Sequence, residues 1–265
     1  MSNPTTRRDF TIQSMGSLLT FSLLETLFAH DAFANEIKPI TAKWLKDMNE
    51  LSRDVKGRKL TQIQWQKKTE ELFGKVDLKA FLKLIDYDKF TKDFKFRESG
   101  ERAFRGYKLP EVEGLPKKLM FGHTIFAVKK GQSIAPHGHY NMTTAFYVLE
   151  GEFHGRHYDR VEDDRKFMIV KPTIDQKFGP GSTSTISDFK DNIHWFKGLS
   201  KRAFIFNVHV LSIDPKNKKG GRVYIDPDGE KLSKGLIKVP KITYKQAYDK
   251  YGVDHHTEQK PTKKK

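Results

Sequence analysis

The chain has 265 residues, enough for one principal domain with a smaller appendage but not for three domains. Its 37% hydrophobic and 31% charged residues indicate a globular protein, and the absence of cysteine excludes disulfides, thiolate ligands and cysteine nucleophiles. A net charge of +16 favours anionic partners, but the basic residues are dispersed and form no nucleic-acid-binding motif, so we expect no nucleic acid and leave contact with anionic surfaces open.

The first 34 residues have the pattern of an export signal. Arg7 and Arg8 precede an apolar stretch, Met15–Leu24, and Ala32–Ala34 offers a small-residue cleavage site. Paired arginines before a modestly hydrophobic stretch resemble a signal for the twin-arginine export machinery, which carries folded proteins. The alternative is an amphipathic helix of the fold. We therefore predict a periplasmic or otherwise exported protein, whose metal could be loaded before export.

A helical region is predicted for residues 35–117. Apolar residues such as Ile40, Trp44 and Met48 recur at steps of three or four between residues 39 and 96. This spacing predicts two or three short amphipathic helices that pack on a larger body. Residues 97–115 are rich in glycine, proline and charge, which indicates a connecting stretch.

Short β-like runs separated by turn signals begin at residue 118 and predict a mainly β fold with a barrel core at 118–214. The predicted strands are Met120–Val128, Thr144–Leu149, Phe153–Tyr158, Lys166–Pro172, Thr183–Asp188, His194–Phe196 and Ala203–Leu211. For residues 215–265 we expect a partly flexible C-terminal extension with a turn at Asp226–Gly229 and a helix near Ile242–Tyr251.

Three histidines predict a metal site within the barrel core. His137 and His139 are two positions apart, so on a strand both side chains face the same side. His194 lies in a second strand-like context. Neutral imidazoles from two adjacent strands suit iron, zinc, copper or nickel. The alternative is that these histidines line a polar interior or face solvent.

The surrounding residues resemble the first cupin motif. Gly131 is followed after five residues by His137–His139, and Gly151 stands at the expected distance beyond the next strand. The resemblance implies a cupin, or jelly-roll, barrel preceded here by the small helical region. Cupins usually carry a glutamate four or five residues after the second histidine, where this chain has Thr143 and Thr144. It therefore implies a three-histidine centre with coordination positions open to water, oxygen or an anionic substrate.

Four further segments add a closer resemblance: His137–Thr143 with the pattern H-x-H-x-x-M, Leu149–Gly151, Tyr158–Asp159 and Asn192–His194. Together they resemble the thiol dioxygenases typified by cysteamine dioxygenase and the plant cysteine oxidases, over roughly residues 119–210. This resemblance implies a mononuclear non-haem iron dioxygenase that uses O2 to convert a small thiol into a sulfinic acid.

In that family the metal is Fe²⁺, and the resemblance places it on His137, His139 and His194; Zn²⁺ and Ni²⁺ are the alternatives. The acid and the tyrosine that the family carries after the third histidine are absent from Phe206–Ser212. The substrate is therefore left open as a small thiol or another small metal-coordinating molecule.

Four polar side chains near the predicted site are candidates for catalysis or substrate contact: Tyr147, His154, Tyr158 and His209. The alternative for each is a buried core residue whose hydrogen bonds are satisfied. Two other functions stay open for the whole site. One is a zinc or nickel cupin that acts as a hydrolase, lyase or isomerase, and the other is a non-catalytic cupin that binds or senses a ligand.

Overall fold

A computed structural model describes residues 32–105, 107–109, 111 and 113–253, with residues 32–41 described by their backbone alone. Except for its last three residues, the predicted export signal lies outside this part of the chain. The α-helices here are α1 (Ala32–Lys56), α2 (Gln62–Phe73), α3 (Leu78–Leu84), α4 (Tyr87–Thr91) and α5 (Tyr244–Tyr251). None of the described helices is both long and apolar enough to cross a membrane.

The strands are β1 (Arg102–Phe104), β2 (Gly122–Val128), β3 (Ser133–His139), β4 (Met142–Glu150), β5 (Phe153–Asp163), β6 (Phe167–Phe178), β7 (Thr183–Ile186), β8 (Ile193–Gly198), β9 (Ala203–Leu211), β10 (Arg222–Ile225), β11 (Glu230–Lys231) and β12 (Ile237–Ile242). A single turn of 3₁₀-helix lies at Ser233–Gly235. Each strand predicted from the sequence is present, although several are longer than expected.

The helical starts follow from local capping. Thr61 accepts a hydrogen bond from the Gln64 backbone, and the Gln64 side chain accepts one from the Thr61 backbone, so a capping box begins α2. At the start of α3, the side chain of Asp77 is the N-cap and accepts a hydrogen bond from the Ala80 backbone N–H. Asp86 has a positive φ of 48°, a left-handed conformation that separates α3 from α4.

Two antiparallel sheets form the body of the molecule. The first has the order β1-β2-β9-β4-β7, and the second has the order β10-β3-β8-β5-β6-β12-β11. Strands β2–β9 pair as if one long hairpin had been rolled up, since β2 lies beside β9, β3 beside β8, β4 beside β7 and β5 beside β6. This pairing defines a jelly roll, which confirms the predicted fold class.

The C-terminal segment differs from the predicted extension. Strand β10 pairs with β3, and β12 pairs with β6, so residues 222–242 add to the second sheet of the barrel. These strands are short and stand among lysine, glycine and turn residues, which hides their alternation. Further on, the Gly252 carbonyl accepts hydrogen bonds from the backbones of Gly100 and Ser133, and this ties the segment after α5 to the start of β3.

The helices pack on the outer face of the first sheet through aromatic side chains. Phe81 makes edge contacts with Trp44 and Phe206 at centroid distances of 5.1 and 5.0 Å, and Tyr147 stacks on Phe73 at 4.9 Å. A second cluster fills the space between the two sheets and includes Phe196. The aromatic cluster around Phe81 therefore joins the helices to the barrel. The cluster around Phe196 fills only part of the space between the two sheets and leaves room for a cavity beside it.

Candidate metal centre

Pairing between β3 and β8 brings the three predicted metal ligands together. His137 lies directly opposite His194, and His139 follows two positions later on the same face of β3. The ring centroids of His137 and His194 are 4.2 Å apart, and one ligand nitrogen from each of the three histidines lies within 4.8 Å of the others. The group could hold one metal ion.

Backbone carbonyls orient the rings from behind. The Nδ1 of His137 donates to the Ala135 carbonyl at 2.7 Å, and the Nδ1 of His194 donates to the Asn192 carbonyl at 3.1 Å. The ring of His139 is hydrogen-bonded to the backbone of Gly221. With Nδ1 protonated, Nε2 of His137 and of His194 keeps its lone pair, as in metal-binding histidines held by a second hydrogen bond.

Burial keeps these rings neutral. It lowers the pKa of His137 and His139 well below the usual histidine value, and Arg222 and the neighbouring histidines lower both further. The pKa of His194 falls to about 3, again chiefly through burial. Because a metal binds the unprotonated imidazole, the three side chains are in the binding form at neutral pH.

Asn192 holds the two ligand strands together. Its Oδ1 accepts from the His139 backbone N–H at 3.2 Å, and its Nδ2 donates to the carbonyls of His139 and Ser187. The glycine between the first two ligands makes room for this side chain, since a Cβ on Gly138 would lie 2.5 Å from Asn192 Oδ1. The glycine between His137 and His139 and the Asn192 side chain therefore together hold β3 against β8 at the metal ligands.

The position of the usual cupin glutamate holds no metal ligand. Thr143 Oγ1 donates to the Ile186 carbonyl at 2.8 Å, and Thr144 Oγ1 donates to the Val208 carbonyl at 2.7 Å. Among the described residues no carboxylate joins the three histidines. The donor set is therefore three neutral nitrogens, which suits Fe²⁺, Zn²⁺ or Ni²⁺ and leaves coordination positions free.

The three histidines line a cavity of about 1340 Å³ between the two sheets. Its wall from the first sheet includes Thr124, Phe146, Asn207 and His209. Basic side chains surround its mouth: Arg105, Lys117, Lys118, Lys218 and Lys219. In the described part of the chain, none of these five forms an ion pair with an acidic side chain.

Arg222 is a cavity residue that the sequence patterns missed. It lies on β10 opposite His139, and its Nη1 donates to Glu101 Oε1 at 2.7 Å. The other oxygen of Glu101 accepts from the Tyr248 hydroxyl, so both carboxylate oxygens are engaged. Arg222 belongs to the predicted, partly flexible C-terminal extension, and only the pairing of β10 with β3 reveals its position.

Of the four candidate catalytic residues, His209 lines the cavity and the other three lie elsewhere. Alternation along each strand is the reason. Phe146 points inward, with its ring centroid 5.1 Å from that of His194, so Tyr147 points outward, where its hydroxyl is 3.4 Å from the Val76 carbonyl. The expectation that Tyr147 contacts substrate is therefore wrong.

The same reasoning corrects His154 and Tyr158 on β5. His157 lies opposite His194 and faces inward, so His154 and Tyr158 face outward. His154 contacts Asp175 on the outer surface, and Tyr158 packs in an outer hydrophobic cluster. His157 itself is fully buried beneath the cavity, with Nε2 3.1 Å from the Ser184 hydroxyl.

Comparisons with known proteins add little to this picture. No protein-family model matches the sequence, and no curated protein matches it significantly. Similar solved structures include a cupin superfamily protein from Desulfitobacterium hafniense, at 15% identity over 44% of this chain and 84% of that one, with a TM-score of 0.29. An oxalate oxidase in complex with glycolate is 17% identical over 48% of this chain and 56% of that one, with a TM-score of 0.33.

The 11S globulin procruciferin from Brassica napus is also similar, at 12% identity and a TM-score of 0.29. The match covers 39% of this chain and only 22% of the globulin. At these identities the activities of such proteins say nothing about this one. The jelly-roll assignment follows from this chain's own strand order.

Proposed function

We propose that the protein is a mononuclear non-haem iron dioxygenase that uses O2 to oxidise a small thiol, or another small metal-coordinating molecule. The overall change adds both oxygen atoms to sulfur, so a thiol and O2 give a sulfinic acid. Bound Fe²⁺ would supply open positions for oxygen and substrate and would lower the pKa of a coordinated thiol. The observation that carries this proposal is the carboxylate-free set of three oriented, neutral histidines.

The surroundings favour a small anion as substrate. The mouth of the cavity is basic, and Arg222 brings a further guanidinium beside His139. Such a cavity attracts an anion electrostatically and disfavours a cation. A thiol that also carries a carboxylate fits these charges better than an aminothiol does. On the first sheet, the apolar ring of Phe146 lies beside His194, with the ring centroids 5.1 Å apart.

The test is to express the chain with its N-terminal segment intact, purify it without oxygen and measure bound metal. We expect iron, together with thiol-dependent O2 uptake from a panel that includes 3-mercaptopropionate and cysteamine. The variant His194→Ala should lose both metal and uptake. The matched control is His154→Ala, on the outer face of the barrel, which should retain both.

Other outcomes would replace the proposal. Stoichiometric zinc or nickel without O2 uptake would favour a hydrolase, lyase or isomerase. A protein that binds small anions equally well with and without metal would favour a ligand-binding or sensory cupin. Each outcome contradicts the dioxygenase.

We also propose that the chain is exported by the twin-arginine route. The support is the sequence of the first 34 residues, with Arg7 and Arg8 ahead of the apolar stretch. Cell fractionation of the wild type and of a variant with both arginines changed to lysine tests it. We expect the wild type in the periplasm and the variant in the cytoplasm; the same location for both would contradict the proposal.

A further inference from the structure

A chain of polar side chains faces the three histidines from the opposite wall of the cavity. Thr144 on β4 pairs with His209 on β9, and Phe146 pairs with Asn207. Cross-strand partners share a face, and Phe146 on this face contacts His194. Thr144, Asn207 and His209 therefore all point into the cavity, and all three line it.

Hydrogen bonds fix the orientation of Asn207. Its Nδ2 lies 3.2 Å from the Ala145 carbonyl, which can only accept, and 2.5 Å from Thr144 Oγ1. The Thr144 hydroxyl uses its own proton on the Val208 carbonyl. The amide nitrogen of Asn207 must therefore face Thr144 and the Ala145 carbonyl, and its Oδ1 must face His209.

Asn207 in turn fixes the tautomer of His209. The Nδ1 of His209 lies 3.0 Å from Asn207 Oδ1, which can only accept a hydrogen bond, so Nδ1 carries the proton. In a neutral ring Nε2 then bears the lone pair. Among the described residues no donor is bonded to Nε2. Gly122 gives this nitrogen room, because a Cβ there would lie only 2.3 Å away.

The ring stays neutral because burial lowers the pKa of His209 to about 4, with smaller effects of His123 and Arg105. The charged and titratable groups that interact electrostatically with it are Arg105 after β1, His123 on the other face of β2 and His139 on β3. A protonated ring would be a donor on both nitrogens. The neutral ring instead offers the cavity one acceptor of fixed direction.

We propose that Nε2 of His209 accepts a hydrogen bond from the substrate and makes the site specific for molecules that carry a neutral donor beside the metal-coordinating atom. Asn207 is a positioning residue in this arrangement. This inference rests on the proposed function and narrows its substrate class to small anionic thiols that also bear a hydroxyl or an amide N–H. Thr144, in the place of the usual glutamate, helps to hold the acceptor.

The test compares two anionic thiols that differ by one hydroxyl, 3-mercaptolactate and 3-mercaptopropionate. Calorimetry on the iron-loaded protein without oxygen should give about 3- to 10-fold tighter binding of the hydroxylated compound, as one neutral hydrogen bond provides. In His209→Phe, which keeps a ring but has no acceptor, the ratio of the two affinities should fall to about one. Thermal unfolding checks that this variant is folded.

A second variant separates positioning from mere support of the fold. Asn207→Asp should raise the pKa of His209 and turn the ring into a donor on acidification. The preference for 3-mercaptolactate should then change between pH 8 and pH 5 in this variant, because its hydroxyl would accept from the protonated ring instead of donating to the neutral one, whereas in the wild type it should stay constant. A structural role alone would not produce that pH dependence.

Three results would overturn the acceptor role of His209. They are equal affinities of the wild type for the two thiols, failure of both thiols to bind, and a preference that survives in His209→Phe. Oxygen uptake is measured on the same samples, so the two proposals can fail separately. A clear preference without uptake would contradict the dioxygenase and leave the acceptor standing. Oxygen uptake without a preference for 3-mercaptolactate would support the dioxygenase and contradict the acceptor role of His209.

Discussion

Gly138 sits between two of the metal ligands and has no room for a side chain. A Cβ there would lie 2.5 Å from Asn192 Oδ1 and would push away the side chain that joins β3 to β8. We expect Gly138→Ala to weaken metal binding about 10- to 100-fold, the usual effect of disturbing groups that orient metal ligands. Competition with a chelator measures this change.

The control for this prediction is Gly179→Ala. A Cβ at Gly179 would meet nothing within 4 Å, so this variant should bind metal as the wild type does. Equal metal affinity in Gly138→Ala and the wild type would show that Asn192 does not need its present position.

Arg222 provides a prediction about charge. Replacing it alone would leave Glu101 buried without its partner, so the double variant Arg222→Gln with Glu101→Gln is the appropriate change. We expect this variant to bind 3-mercaptopropionate about 10-fold more weakly, because a charge-assisted hydrogen bond is lost. Its affinity for cysteamine, which has no carboxylate, should not fall, and calorimetry compares the two ligands. An equal loss for both would contradict an anion-binding role.

At this scale the sequence predicts part of the site. The spacing of His137 and His139 is enough to place both on one face of a strand. It cannot tell which face is inside, and for this reason Tyr147, His154 and Tyr158 are candidates from the sequence although they lie outside the cavity. Arg222 and Asn207 have no local signal, since their positions depend on pairing between strands that are distant in sequence.

At the scale of elements, the helices contact the first sheet through an extensive apolar cluster. Phe81 on α3 is fully buried between Trp44, Tyr147 and Phe206. We expect Phe81→Ala to lower the free energy of unfolding by about 3–5 kcal/mol. Metal affinity should be retained in the folded fraction, because this interface lies on the outer side of the sheet. Urea unfolding followed by fluorescence measures the loss.

Ile63 on α2 is a suitable comparison because its side chain is 49% exposed. Ile63→Ala should change the free energy of unfolding by no more than about 0.5 kcal/mol. A similar loss in both variants would mean that the helices do not depend on the buried aromatic cluster.

The elements that the sequence predicts best are those with a strong local pattern. The strands β2, β4, β5 and β9 are long and apolar on at least one face, and α5 lies within the predicted helix. The strands β10–β12 have between two and six residues each and lie among lysines and glycines. Strand β10 is held in place by β3, β12 by β6 and β11 by β12, and this information is not local.

For the whole molecule, the buried histidines predict a dependence of stability on pH. The folded-state pKa values of His137, His139, His157, His194 and His209 are all lowered, chiefly by burial. Between these values and the unfolded pKa of about 6.5, the unfolded chain binds more protons than the folded one. The contribution of these histidines to the free energy of unfolding of the metal-free protein should therefore be complete above about pH 6.5 and should fall as the pH is lowered.

Each neutral histidine contributes up to about 1.4 kcal/mol per pH unit to this slope. Urea midpoints between pH 7.5 and pH 4.5 measure it. His157→Gln removes one titrating ring outside the metal ligands and should make the slope shallower. A stability that is constant across this range would contradict the prediction.

The tie between Gly252 and the start of β3 has a consequence for how the protein is made. All three metal ligands have been synthesised by residue 194, but β10, which flanks the ligand strand, and Gly252 come much later in the chain. A nascent or prematurely terminated chain thus carries all three ligands while the edge of β3, which holds His137 and His139, is still unpaired. In such fragments the metal ligands lie next to an unpaired strand edge, which can pair with another chain. The sheet beside the metal ligands is therefore completed only after residue 225, when β10 can pair with β3.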